Sequence, residues 1–154
     1  MSKSELVSIP TFEQVQKAYL KIRDKVHRTP VIKSQKVNER AGGELFFKCE
    51  NFQKVGAFKF RGATHTVGEL PEEKAQNGVA THSSGNHAQA VALAAKQRGI
   101  PAHIVMPENA PKVKVNAVRD YGANITFCKS TQQARETTLK SVVEETGATF
   151  IHPY

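Results

Sequence analysis

From Gly78 onward the chain alternates short β-rich runs with helical stretches, and this alternation limits the fold more than any other feature. The runs are GVATH, an Ala-rich helix to Gln97, AHIVM, a helix opened by Pro111, NITFC, a helix over Thr131 to Thr146, and ATFIH. The order is β-α-β-α-β-α-β. Strands separated by helices of about 10 to 15 residues cannot form hairpins, so they run parallel and are joined by right-handed crossovers. Helices then cover both faces of the sheet, and ligands collect beyond the carboxyl ends of its strands. Gly99, Gly122 and Gly147 stand where these helices need a left-handed C-terminal residue, and Pro111 suits a first helical position. The expected class is α/β.

The segment before Gly78 is less regular. Thr11 and Gln14 fit a capping box, and Phe12, Val15, Ala18, Tyr19 and Ile22 form one apolar stripe, which predicts a helix of about 12 residues. After the HRTPVI turn and Gly42–Gly43, ELFFKCE reads as a strand and KFRGATHTV as the start of a helix. These pieces make no closed sheet. The chain stops at His152-Pro153-Tyr154 just as a strand finishes, so the neighbours of segment 1–77 are expected to come from sequence beyond this chain.

At 154 residues the chain can bury one ordinary core without a disulfide or metal staple. Cys49 and Cys128 match no framework or CxxC pattern, which points to a reducing compartment, with the cytosol as default. The start MSKSELVSIPTFEQ has no signal-peptide run, and nowhere do about 18 apolar residues follow one another, so no membrane partner is expected. A net charge of +8 raises the question of nucleic acid. Yet the basic residues alternate with acids and apolar residues, as in KAYLKIRDK and LPEEKAQ, which describes a solvated surface and excludes a basic stripe. The charge suits anionic small molecules. The six histidines show no HExxH or His/Cys spacing for zinc, and no G-x-S-x-G elbow points to a hydrolase.

Two segments carry chemistry. THSSGNHAQA leaves a predicted strand and enters a predicted helix, so Ser83, Ser84, Gly85 and Asn86 present hydroxyls and free backbone N–H groups where the helix dipole favours an anion. The same residues also make an ordinary N-cap. In VGAFKFRGA, Lys59 is flanked by Phe58 and Phe60 and bracketed by Gly56 and Gly62. A lysine desolvated by aromatic rings loses its proton more readily and can form a Schiff base. A snorkelling surface lysine at a helix start fits the same residues.

Taken together, VGAFKFRGA followed by SSGNHAQA resembles the serine racemase and serine/threonine dehydratase family, the fold-type II pyridoxal-phosphate (PLP) enzymes of tryptophan synthase β-like architecture. The resemblance runs from about Phe12 to Tyr154 and includes IPAHIVMPENAPKVKVNAVRDYGA. The form GAFKFRGA is most similar to eukaryotic serine racemases and threo-3-hydroxyaspartate dehydratases. The resemblance implies that residues 1–77 are an N-terminal portion of the large PLP domain and that 78–154 form a small, parallel-sheet substrate domain. It implies that Lys59 carries PLP and acts as a base on one face of the substrate, with Ser84 as acid/base on the other. Phe58 would pack beside the pyridine ring, and Asn86 would hydrogen-bond the ring oxygen. Ser83, Ser84, Asn86 and His87 would grip the substrate carboxylate. Arg135 matches an arginine that reaches the far end of the substrate, or is a surface helix arginine. Gln89 and Tyr121 fall where animal racemases bind a regulatory nucleotide, or serve packing alone.

The implied activity is racemisation and/or β-elimination of serine, threonine or 3-hydroxyaspartate, in a cytoplasmic enzyme that is a homodimer at full length. The alternative is a non-catalytic α/β fragment or binding module that needs a further half. Two departures bear on this. Ala57 stands where many relatives have serine, which leaves substrate preference open. The chain also stops before the family's glycine-rich phosphate loop, the Mg or Ca ligands of the divalent-cation site and the serine facing the pyridine nitrogen, and Gly42–Gly43 are its only adjacent glycines.

Overall fold

The structure is a computed structural model that describes residues 9–153. Residues 1–8, on which part of the signal-peptide reading rests, and Tyr154, where the family resemblance ends, lie outside the described residues. Helix α1 spans Phe12–Ile22, and the capping box forms as the sequence predicts: the Thr11 hydroxyl accepts from the Gln14 N–H and the Gln14 side chain accepts from the Thr11 N–H. Of its apolar stripe only Ile22 is buried, while Phe12 and Val15 stay exposed. Strand β1 (Val31–Ile32), helix α2 (Gln35–Ala41) and strand β2 (Phe47–Lys48) follow. ELFFKCE gives only two strand residues, and these pair antiparallel with Val31–Ile32 of the expected turn, so the strand has a partner. Successive aromatic residues promise a longer strand, but Cys49 starts a 3-10 turn over Glu50–Phe52 that ends the ladder.

Helix α3 (Lys59–Gly68) and the short α4 (Glu72–Ala75) lead into the regular half. Its elements are β3 (Val79–His82), α5 (Asn86–Arg98), β4 (Ala102–Pro107), α6 (Lys112–Asp120), β5 (Asn124–Cys128), α7 (Gln132–Thr146) and β6 (Thr149–Phe150). All four strands run parallel in the order β5-β4-β3-β6. Gly99 and Gly147 are left-handed C-caps, and Gly122 has the same positive φ just past α6. Pro111 sits one position earlier than expected, as the N-cap of α6. No helix among the described residues is long and apolar enough to cross a membrane.

Because side chains alternate across a strand, successive residues of β4 serve opposite faces. Ile104 and Met106 join Phe60, Ala63, Val67, Val91, Val115 and Val118 in one core under α3, α5 and α6. Val105 joins Ala80, Leu139 and Val142 in a second core under α7. The alanines of α5 let α3 come close, and Phe60 of α3 is wholly buried there, a burial that stabilises by about 2–3 kcal/mol. This packing fixes the start of α3 beside the start of α5.

A charged clasp holds α3 from its other side. Arg61 donates to both Glu50 oxygens at 2.7 and 2.8 Å, and the Thr29 hydroxyl donates to Glu50 as well. Arg61 therefore holds the Glu50 carboxyl down at about 2, well below the ordinary 4.5. A depressed carboxylate contributes stability that is full above about pH 4.5 and is lost as the pH falls toward 2. Glu50→Gln should accordingly flatten the fall of the urea midpoint between about pH 5 and 2. An unchanged slope would show that the clasp does not couple to folding.

Candidate active site

The turn ahead of Lys59 holds the one non-glycine residue with positive φ among the described residues. Val55 and Gly56 are both left-handed, at φ 57° and 67°, and a β-branched residue there costs of order 1 kcal/mol or more. Buried Gln53 holds the turn: its oxygen accepts from His27 N and Lys54 N, and its amide donates to His27 O at 2.9 Å. The chain then enters α3 with Lys59 as its first residue. The flanking phenylalanines do not enclose the amine. Phe60 points into the core, whereas Phe58 is largely exposed, with its ring centroid 5.5 Å from Lys59 Nζ. Two helical steps separate them by about 200°, so the two rings face nearly opposite sides of the helix.

β3 ends at His82, and the loop Ser83–Gly85 delivers Asn86 as the first residue of α5. This loop and the start of α3 form a cleft of about 330 Å³, walled by Phe58, Lys59, His82, Ser83, Ser84, Gly85, Asn86, His87, Arg135 and Pro153. It lies at the carboxyl end of β3, as parallel sheets place their ligands. Phe58, Lys59, His87 and Pro153 also wall a second hollow of about 230 Å³. Lys59 Nζ donates to the Pro153 carbonyl at 2.6 Å.

The electrostatics of the cleft favour an anion. Burial pushes the His87 imidazole below its ordinary pKa, and the nearby Lys59 charge adds to this against the opposing Ile151 carbonyl. A neutral ring results, and since that carbonyl can only accept at 3.3 Å, Nε2 carries the hydrogen. Burial also lowers His82, whose ring stacks on Phe150 at 6.1 Å. Arg135, from the first turn of α7, brings a buried Nε that has no hydrogen-bond partner among the described residues. An unsatisfied buried donor of this kind is costly and fits an absent acceptor.

A family model described as pyridoxal-phosphate dependent enzyme matches residues 22–154. The chain belongs to this family. It is 51% identical to a beta-hydroxyaspartate dehydratase of Paracoccus denitrificans over 95% of its own length and 46% of that protein's. It is 49% identical to the serine racemase of Homo sapiens, over 93% of this chain and 43% of that one. Among solved structures, a maize serine racemase superposes with a TM-score of 0.88 at 53% identity, covering 92% of this chain and 43% of that one. The chain thus spans less than half the length of the curated relatives it matches.

The cleft fits the reactive end of PLP. The Lys59 amine stands at the wall shared by two hollows, a flat ring lies beside it, and hydroxyl, amide and guanidinium donors face the same space. The phosphate end is different: Gly42 and Gly43 follow α2 and do not line the cleft. Gln89 and Tyr121 also lie outside it. Gln89 is buried one turn along α5, its amide 3.5 Å from Gly85 O, and Tyr121 packs half-buried on the main core at the end of α6. Sequence reasoning missed Gln53, the left-handed Val55 and Lys114, whose Nζ donates to Asn86 Oδ1 at 2.8 Å. Only Gly56, just before Ala57, hinted at a turn there.

Proposed function

We propose that this chain forms part of a PLP enzyme that racemises small hydroxy-amino acids, eliminates their β-hydroxyl, or both, with serine, threonine or 3-hydroxyaspartate as substrates. Elimination followed by hydrolysis yields a keto acid and ammonia. The observation that carries this reading is the convergence of Lys59 from α3 with Ser83–His87 from the β3–α5 loop in one cleft. Bound there, PLP supplies an electron-poor ring that stabilises the negative charge left at Cα when its proton departs. The Lys59 amine takes that proton on its own face. Ser84 gives or takes a proton on the other face. Ser83, Ser84, Asn86 and His87 at the start of α5 hold the substrate carboxylate, and the Asn86 amide also hydrogen-bonds the ring oxygen of PLP.

Arg135 supplies a cation to the far end of the substrate, and its unpaired Nε supports a second carboxylate there. Arg135→Met should therefore raise KM for 3-hydroxyaspartate by about tenfold or more and change that for serine much less. Equal effects on both would remove Arg135 from the substrate. The function itself is tested by incubating the protein and PLP with each enantiomer of the three amino acids, reading keto acid and the opposite enantiomer. Turnover of a hydroxy-amino acid supports the reading, and turnover of none opposes it.

The division at residue 77 belongs to the same proposal. Residues 1–77 would be part of a large domain, and the parallel sheet that begins at Val79 the core of a small one. Phe12, Val15, Phe46, Phe47 and Phe52 leave an exposed apolar surface that supports a further packing partner for that first part. The same surface favours the second reading, in which this stretch is inert without it. A cytoplasmic homodimer is proposed for the whole protein, as are a divalent cation and ATP as ligands. Within this chain, Gln89 and Tyr121 would contribute to the nucleotide site.

A further inference from the structure

Resting on that reading of the cleft, we infer that Lys114 is a positioning residue for the cofactor: it orients the Asn86 side-chain amide so that its NH2 group donates into the cleft. The geometry starts with α6. Val115 and Val118 are buried in the main core, where α6 packs on α5, and this anchors the helix beside α5. Lys114, the neighbour of Val115, is held half-buried at that junction, and its Nζ donates to Asn86 Oδ1 at 2.8 Å. An ammonium can only donate, so the amide oxygen is fixed toward Lys114. The two remaining donors, on Nδ2, are left for the cleft that Asn86 shares with Lys59.

The consequence follows from the chemistry of pyridoxal. Its ring hydroxyl is adjacent to the carbon that a lysine amine attacks, so a cofactor joined to Lys59 brings an anionic oxygen close to its own point of attachment. A donor amide stabilises that oxygen, whereas a flipped amide would place a carbonyl against it. Lys114 therefore selects the favourable orientation and adds one positive charge nearby. Its hydrogen bond to Asn86 is exposed, and the buried residues of α6 are Val115 and Val118, so a change at Lys114 leaves those two core side chains in place.

The test compares Lys114→Met and Lys114→Arg with the parent protein in two measurements. Without cofactor, the Asn86 side-chain amide is followed by 15N NMR, with urea unfolding as the control for stability. Its resonances should move in Lys114→Met and return toward the parent positions in Lys114→Arg. With PLP, the ratio of the visible to the near-ultraviolet absorption band should fall in Lys114→Met, with affinity reduced about tenfold, and recover in Lys114→Arg. An Asn86 amide that ignores Lys114→Met, or an unchanged spectrum and affinity in that variant, overturns the inference alone. A parent protein that takes up no PLP on Lys59 instead overturns the reading of the cleft, and this inference with it.

Discussion

Replacing Ser84 with alanine is expected to reduce racemisation by about 100-fold or more while elimination from one enantiomer falls by less than about tenfold. Racemisation needs proton exchange on both faces of Cα, and in the proposed reading Lys59 and Ser84 serve one face each. Lys59 enters from α3, and Ser84 from the loop after β3. Elimination from the enantiomer whose proton faces Lys59 needs only the lysine side. The Ser84 hydroxyl lines the same cleft, so its removal takes away the second proton carrier and leaves the first in place. The measurement is a chiral assay of the product amino acid beside a keto-acid assay on the same sample. Equal loss of both reactions would mean that the two faces are not divided in this way.

The second large effect concerns the scaffold. Gly78 has φ +78°, and a methyl group there would lie 2.3 Å from the Pro101 carbonyl oxygen and 2.8 Å from Pro101 Cβ. That carbonyl already accepts from Val79 N at 3.0 Å and begins the register of β3 against β4. Neither atom can move without shifting a strand. Left-handed strain and the clash add, so Gly78→Ala should cost about 3–5 kcal/mol and lower the thermal midpoint by about 10 °C. Gly62→Ala provides the comparison, since a Cβ at Gly62 meets nothing within 4 Å. A Gly78 variant as stable as its Gly62 counterpart would show that the β3–β4 junction yields easily.

The sequence made the regular half of the fold legible because each local signal agreed with the next. Gly99 and Gly147 close helices, and β-branched runs alternate with helices long enough to cross over. The first half was harder to read because its strand residues are decided by a turn. Phe46 and Phe47 have high strand propensity, yet pairing stops where the 3-10 turn after Cys49 begins. For the same reason Val31 and Ile32, read as a turn, become the partner strand.

The cleft shows a similar division. Spacing and residue type bring Lys59 and Ser83–Asn86 to notice, since a lysine between aromatics and a polar helix start both have chemical meaning. What those patterns cannot convey is direction. Phe58 and Phe60 look equivalent around Lys59, but one lies outside and the other is the largest fully buried side chain. His87 falls on the buried side of α5 and is neutral for that reason, and Lys114 meets Asn86 only because Val115 and Val118 fix α6 against α5. Such contacts between residues 28 positions apart arise from packing and have no local signature.

The central claim is that Lys59 is the residue that takes up PLP. The direct measurement is to incubate the 154-residue protein with PLP, reduce it with borohydride, digest it and map the pyridoxyl mass by peptide sequencing, with Lys59→Ala treated in parallel. The expected result is one dominant modified lysine, Lys59, with no comparable site appearing in Lys59→Ala. Absence of an adduct on Lys59, or equal labelling of Lys59 and the exposed lysines, would contradict it.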